Sequence, residues 1–180
     1  AAARTNGKRG SRHRIEHIEL IDRADIPRLA DLGITASIQP SHPPGAMDFP
    51  ILPTMNKIAR DRWRDAYLSR TLKEAGVRLA FATDWPVTIN PLRCIQAALT
   101  RPAYEGAEDQ SLPLLEVLSA YTAGGAYAEH TEDRKGMLKP GYLADLVLLS
   151  GDIEATAPTE IGAMSVAMTL CGGRIVWQPS

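Results

Sequence analysis

No stretch of this 180-residue chain approaches the roughly 20 consecutive apolar residues of a membrane-spanning helix, so none of its segments reads as one. Cysteine is scarce. Cys94 and Cys171 stand far apart without metal-ligand spacing and read as buried thiols of a reducing compartment. Net charge is nearly absent: 20 basic against 21 acidic side chains give no global attraction to nucleic acid or to an anionic membrane. The basic arm of Arg4, Lys8, Arg9, Arg12 and Arg14 has no interleaved aromatic residue, so it reads as a solvated helix end rather than a nucleic-acid contact. Ala1 to Lys8 show neither an initiator methionine nor the apolar core of a signal peptide. The expectation is a cytoplasmic polypeptide that is part of a longer one.

What is present is an alternation. Arg14 to Ile18 is strand-like, Asp25 to Leu32 has helical spacing closed by Gly33, and Ile34 to Pro40 is a second strand. A proline-rich loop, Ser41 to Thr54, precedes a helix expected over Asp61 to Ala75, closed by Gly76. Val77 to Thr83 is a third strand, followed by helices over Pro91 to Thr100 and Leu114 to Ala128. Strand, helix, glycine, strand is the order of right-handed βαβ units in a parallel sheet. Near residue 130 the pattern changes. Ala144 to Leu149, Ser165 to Leu170 and Arg174 to Trp177 are strands, the last two joined by a Gly172-Gly173 hairpin turn.

Asp84 ends the apolar run Val77 to Ala82 at what is expected to be the C-terminal end of a buried strand, the end at which α/β sheets and barrels bind ligands. An acid there needs a partner, because burying a carboxylate is costly unless it is paired or metal-bound. It is either a metal ligand and general base or an N-cap for the turn at Trp85-Pro86. His17 stands at the end of the first strand. Together they point to a metal-assisted hydrolase. His13 lies about 13 Å from His17 along an extended strand and reads as structural. His42, in the proline-rich loop, either faces substrate or is an exposed loop histidine, and Asp48 has the same two readings. Trp85 either lines the pocket floor or packs under the site. Arg101 suits a helix C-terminus, His130 an exposed loop, and Asp145 a hydrogen bond to backbone.

These stretches resemble the amidohydrolase superfamily, specifically its N-substituted formamide deformylase-like branch of metal-dependent hydrolases. The residues that carry the resemblance are Arg12 to His17, Ile38 to His42, Ala82 to Val87, Ala120 to Thr122, Lys135 to Val147 and Gly172 to Val176. The resemblance implies an α/β fold in which residues 1–130 are the C-terminal third of a (β/α)₈ TIM-like barrel, its strands six to eight. Residues 131–180 would be the C-terminal portion of a small antiparallel β-sandwich. It implies a zinc enzyme, with one or two divalent ions, that hydrolyses C–N bonds of small amide-like substrates other than peptides. His17 and Asp84 correspond to metal ligands, Asp84 also to the base that passes a proton from water to the leaving amine, and His42 and Trp85 to substrate-binding positions.

The family's His-x-His pair is not found in this sequence, and its strand-four carboxylate and strand-five histidine correspond to positions before Ala1. A catalytic zinc takes three protein ligands, so the expectation is a fragment that is inactive alone. The rivals are an inert remnant or interaction module, and a binding domain in which His17 and Asp84 are structural. Open strand edges would invite pairing with a second copy or with the missing N-terminal part.

Overall fold

The computed structural model describes residues 5–7 and 10–179, so Arg4, Lys8 and Arg9 of the basic arm, and Ala1 to Arg4 of the expected helix tail, lie outside the described residues. Three short segments pair in parallel: β1 (Arg14–Glu16), β2 (Thr35–Ile38) and β3 (Arg78–Phe81), in the order β1-β2-β3. Ile15 lies opposite Ala36, and Ala36 opposite Leu79. The central strand β2 is buried throughout, as expected where helices cover a parallel sheet, and therefore shows no polar alternation.

Two helices deliver the chain into these strands. α1 (Ile26–Asp31) ends with Gly33 at φ +64°. The Gly33 N–H donates to the Ala30 carbonyl at 2.9 Å and the Ile34 N–H to the Leu29 carbonyl at 2.9 Å. α2 (Ser69–Glu74) repeats the arrangement with Gly76 at φ +83°, bonding Lys73, and Val77 bonding Leu72. Both are Schellman closures, which a residue with a Cβ would enter only with strain. Ile34 and Val77 each leave their glycine already aimed along the next strand. α3 (Pro91–Thr100) is capped by the Asn90 side chain, which accepts the N–H groups of Leu92 and Arg93, with Pro91 in the first turn. α4 (Leu114–Ser119) continues through a wider π turn, Ala120–Gly124, into α5 (Gly125–Ala128). The core between sheet and helices holds Leu29, Ile38, Leu72, Phe81, Ile95 and Val117.

The helix expected over Asp61 to Ala75 is broken. A 3₁₀ segment, Arg60–Asp65, stops before α2, and Tyr67 between them sits at φ +54°. Pairing across the fold overrides local propensity here. Leu20 and Ala66 form an antiparallel bridge, the Tyr67 N–H donates to the Glu19 carbonyl at 2.9 Å, and Arg101 donates to the Tyr67 carbonyl at 2.7 Å. These bonds need a backbone that has left the helix, extended at Ala66 and left-handed at Tyr67.

The C-terminal segments form an antiparallel sheet, β4 (Leu146–Leu149), β5 (Val166–Cys171) and β6 (Arg174–Trp177), in that order. Gly172 at φ +56° and Gly173 at φ +77° have the positive φ at both positions that a type I′ turn requires. The Asp145 carboxylate accepts the Gly172 N–H at 2.8 Å, the expected bond to backbone. Cys94 is buried on the inner face of α3, but Cys171 is exposed, because it ends β5 beside the turn.

Arg12 ties the start of the chain to the segment after α5. Its guanidinium donates to Glu132 at 2.7 Å and lies 4.1 Å from the Tyr127 ring centre. That hydrogen bond holds the Glu132 carboxyl down from 4.5 to about 2. An acid whose folded-state pKa is depressed stabilises the fold above its free value, and that contribution is lost as the pH falls through the folded one. The expected result is a stability loss between about pH 4.5 and pH 2 that Glu132→Gln removes, read as urea midpoints against pH.

Candidate metal centre

The ends of the parallel strands are bent rather than extended. The His17 N–H donates to the Ser37 carbonyl at 2.7 Å, carrying the ladder one residue past β1. His17 then sits at φ +69° and Ile18 at φ +49°. Two successive left-handed residues, one of them β-branched, are sterically unfavourable, and such strain collects at functional sites. Their effect is to turn the chain across the sheet end, so that Glu19 faces the loop after β2. At the end of β3 the Ala82 N–H still bonds the Ile38 carbonyl at 3.0 Å, and Asp84 comes two residues later at φ +58°. The turn after Asp84 is closed by its carbonyl, which accepts the Val87 N–H at 2.8 Å, and α3 is capped by Asn90. The Asp84 carboxylate therefore caps no helix. It points at two imidazoles.

His42 Nε2 lies 3.3 Å and His17 Nδ1 3.9 Å from Asp84 Oδ2. The two rings stack at 5.4 Å between centres with 14° between planes. One ligand atom from each of His17, His42 and Asp84 falls within 4.8 Å of the others. Both rings are held by polar neighbours. His17 Nδ1 lies 2.8 Å from Gln39 Oε1, on a side chain only 4% exposed, and His42 Nδ1 lies 3.1 Å from Glu19 Oε1. An amide oxygen and a carboxylate only accept hydrogen bonds, so a proton on each Nδ1 satisfies both contacts, and on His42 it leaves the Nε2 lone pair toward Asp84.

Metal-binding histidines are oriented as His42 is, with the remote N–H given to a carboxylate or carbonyl. His42 Nε2 is buried and makes no hydrogen bond, although Asp84 is near. Two electron-rich atoms facing each other call for a proton or a cation between them. Two imidazoles and one carboxylate match the nitrogen and oxygen donors that zinc takes in catalytic sites.

The other residues singled out in the sequence lie outside this cluster. Trp85 does not pack under the site: it is 71% exposed, on the turn that begins at Asp84. Asp48 pairs with Arg93 at 3.1 Å on the surface. Arg101 is buried, donates to the Tyr67 carbonyl and lies over the Tyr104 ring, and burial lowers its pKa. His13 and His130 are exposed. Sequence reasoning placed His42 near substrate but not in a cluster with His17 and Asp84, and missed the contacts of Glu19 and Gln39 with the two rings. Gln39 carried a faint signal, as a polar residue ending a buried strand.

The model of the amidohydrolase family matches residues 1–177. The chain is 31% identical over 182 residues to the protein YtcJ of Bacillus subtilis, covering 96% of this chain and 33% of that protein. It is 27% identical over 161 residues to an imidazolonepropionase of Bacteroides thetaiotaomicron, covering 89% of this chain and 34% of that one. The chain thus spans about a third of the length of these relatives.

Among solved structures, a metal-dependent hydrolase from Pyrococcus furiosus aligns with a TM-score of 0.60 at 29% identity, over 72% of this chain and 26% of that one. A zinc-bound adenosine deaminase from Xanthomonas campestris aligns at 0.67 and 18% identity, over 98% and 42%, a likeness of fold alone. These neighbours imply a fold of the TIM-barrel superfamily. With its parallel strand ends carrying a histidine and an aspartate, and matched along residues 1–177, the chain belongs to the amidohydrolase family.

Proposed function

We propose that the chain forms part of a zinc-dependent hydrolase of C–N bonds in small amide-like compounds, of the N-substituted formamide deformylase-like kind. The observation that carries this is the convergence of His17, His42 and Asp84 at the ends of parallel strands, with both imidazoles held at Nδ1. On this reading β1, β2 and β3 are barrel strands six, seven and eight, within residues 1–130. The sheet β4-β5-β6 belongs to a β-sandwich portion at 131–180. Residues beyond these 180 would complete the barrel in a cytoplasmic protein of its relatives' length, and turnover belongs to that longer polypeptide.

A ring nitrogen of His17, His42 Nε2 and an Asp84 oxygen would hold the ion. Bound zinc polarises a scissile carbonyl and acidifies the attacking water. Asp84 is the group placed to move the proton. Its side chain is 39% exposed, so water and substrate reach it. The carboxylate takes the proton from water as the oxygen attacks the carbonyl carbon. It then delivers that proton to the leaving nitrogen as the C–N bond breaks. Gln39 and the ladder bond at Ser37 keep His17 in place while this happens. Trp85, exposed on the turn after Asp84, is positioned to meet a substituent of the substrate.

The test is a polypeptide of the relatives' length containing these residues, loaded with zinc and assayed on N-substituted formamides and other amides. The expected result is one tightly held zinc and turnover that disappears on chelation. A folded protein that holds no zinc and hydrolyses none of these compounds would sink the proposal in favour of an inert module.

A further inference from the structure

His42 stands between two carboxylates. Glu19 Oε1 is 3.1 Å from its Nδ1, in hydrogen-bond alignment, and Asp84 Oδ2 is 3.3 Å from its Nε2, without it. A neutral imidazole has one proton for two ring nitrogens, so the two acids compete for it. If Nδ1 carries the proton, Nε2 presents a lone pair toward Asp84, within the cluster that His17 completes. If Nε2 carries it, that proton bonds Asp84, and two of the three donors are occupied with each other. The position of this proton decides whether the site is open to a cation.

The fold is arranged so that Glu19 reaches the ring. The left-handed pair His17 and Ile18 turns the chain immediately before it, and the Glu19 carbonyl is fixed by the Tyr67 N–H at 2.9 Å. The adjacent Leu20–Ala66 bridge holds the other side of the residue. The His42 ring, 13% exposed, is further confined by stacking on His17 and by the edge of Phe49, 6.5 Å between centres. It has little freedom to meet a different acceptor.

We infer that Glu19 is a positioning residue: it takes the Nδ1 proton of His42 in a hydrogen bond and thereby frees Nε2 as the third donor of the His17–His42–Asp84 centre. The inference rests on that centre being a metal site, but its first readout does not need metal. In the metal-free 180-residue chain at pH 8, imidazole ¹⁵N shifts are expected to place the His42 proton on Nδ1. Glu19→Leu should move it to Nε2, or to a mixture, whereas Glu19→Gln, whose amide oxygen can still accept, should keep it on Nδ1. Zinc affinity is expected to fall about tenfold or more in Glu19→Leu, the usual consequence of losing such an outer partner, with Glu19→Gln close to the parent.

Because the Glu19 side chain is 48% exposed, these changes leave the core intact, and Glu19→Ser removes the carboxylate without adding apolar surface. An Nδ1 proton that stays in place in both removal variants overturns the inference. A tautomer shift in a protein that binds no zinc would support the positioning role and reject the metal centre instead. Zinc binding that all variants share, with an unmoved tautomer, would do the reverse.

Discussion

Asp84→Asn is expected to lower kcat of the zinc-loaded enzyme by about 10²- to 10⁴-fold, the range contributed by a positioned acid–base group. Asparagine is the informative replacement because it tolerates the left-handed backbone that Asp84 occupies at φ +58°. Alanine would add backbone strain to the chemical loss and confuse the two. Asparagine keeps volume and an oxygen but has no charge and no capacity to accept the proton of attacking water. The change should appear in kcat and kcat/KM together, as for a group acting in the transition state. Zinc content of the variant, measured alongside, separates loss of the base from loss of a ligand. Near-normal turnover with full zinc would remove Asp84 from the mechanism.

Gly124→Ala is expected to be the most damaging small substitution in the fold. Gly124 ends the π turn against β3, and a Cβ built on it would stand 2.2 Å from the Leu79 carbonyl oxygen and 3.4 Å from the Ala80 Cα. Those are backbone atoms of a buried strand and cannot swing aside. The helix must move off the sheet, opening contacts around Ala120 and Val117. The cost is expected at or above the upper end of the roughly 1–3 kcal/mol usual for overpacking.

Gly125 is the control. A Cβ there meets nothing within 4 Å, so Gly125→Ala should gain up to about 1 kcal/mol of helix propensity. Urea unfolding of the two variants checks this, and equal midpoints would contradict the close approach. The damage should also reach the site. Tyr121, in the same turn, donates to the Ala82 carbonyl at 3.4 Å and meets the Phe81 ring edge-on, just before Asp84.

The elements that could be read from sequence are those whose signals are local. Gly33 and Gly76 end their helices by a backbone conformation that glycine enters freely, so a glycine after a helical pattern announced both the stop and the next strand. Pro91 in the first turn marked the start of α3 for an equally local reason. The break at Ala66 to Leu68 was not legible, because it is imposed by Glu19, Leu20 and Arg101, which are distant in sequence.

The site divides in the same way. His17 and Asp84 end strands, and that placement can be inferred from a short β-type or apolar run and the polar residue that closes it. His42 joins His17 and Asp84 only through the path of the proline-rich loop, which brings its ring over His17. No periodicity specifies that path. Trp85, beside Asp84 in sequence, does not pack beneath the site but is exposed, because the turn at Asp84 carries it outward.

The parallel order β1-β2-β3 has a consequence for the order of events as the chain folds. Each neighbouring pair of strands is joined by a crossover rather than a hairpin, and such long-range pairings are slow to form. His17 belongs to the end of the first strand, His42 comes after the second and Asp84 after the third. No local collapse brings all three together, since the last donor arrives only when β3 docks on β2. Any ion held by this centre would therefore be captured late, as a lock on a completed sheet rather than as a nucleus for it.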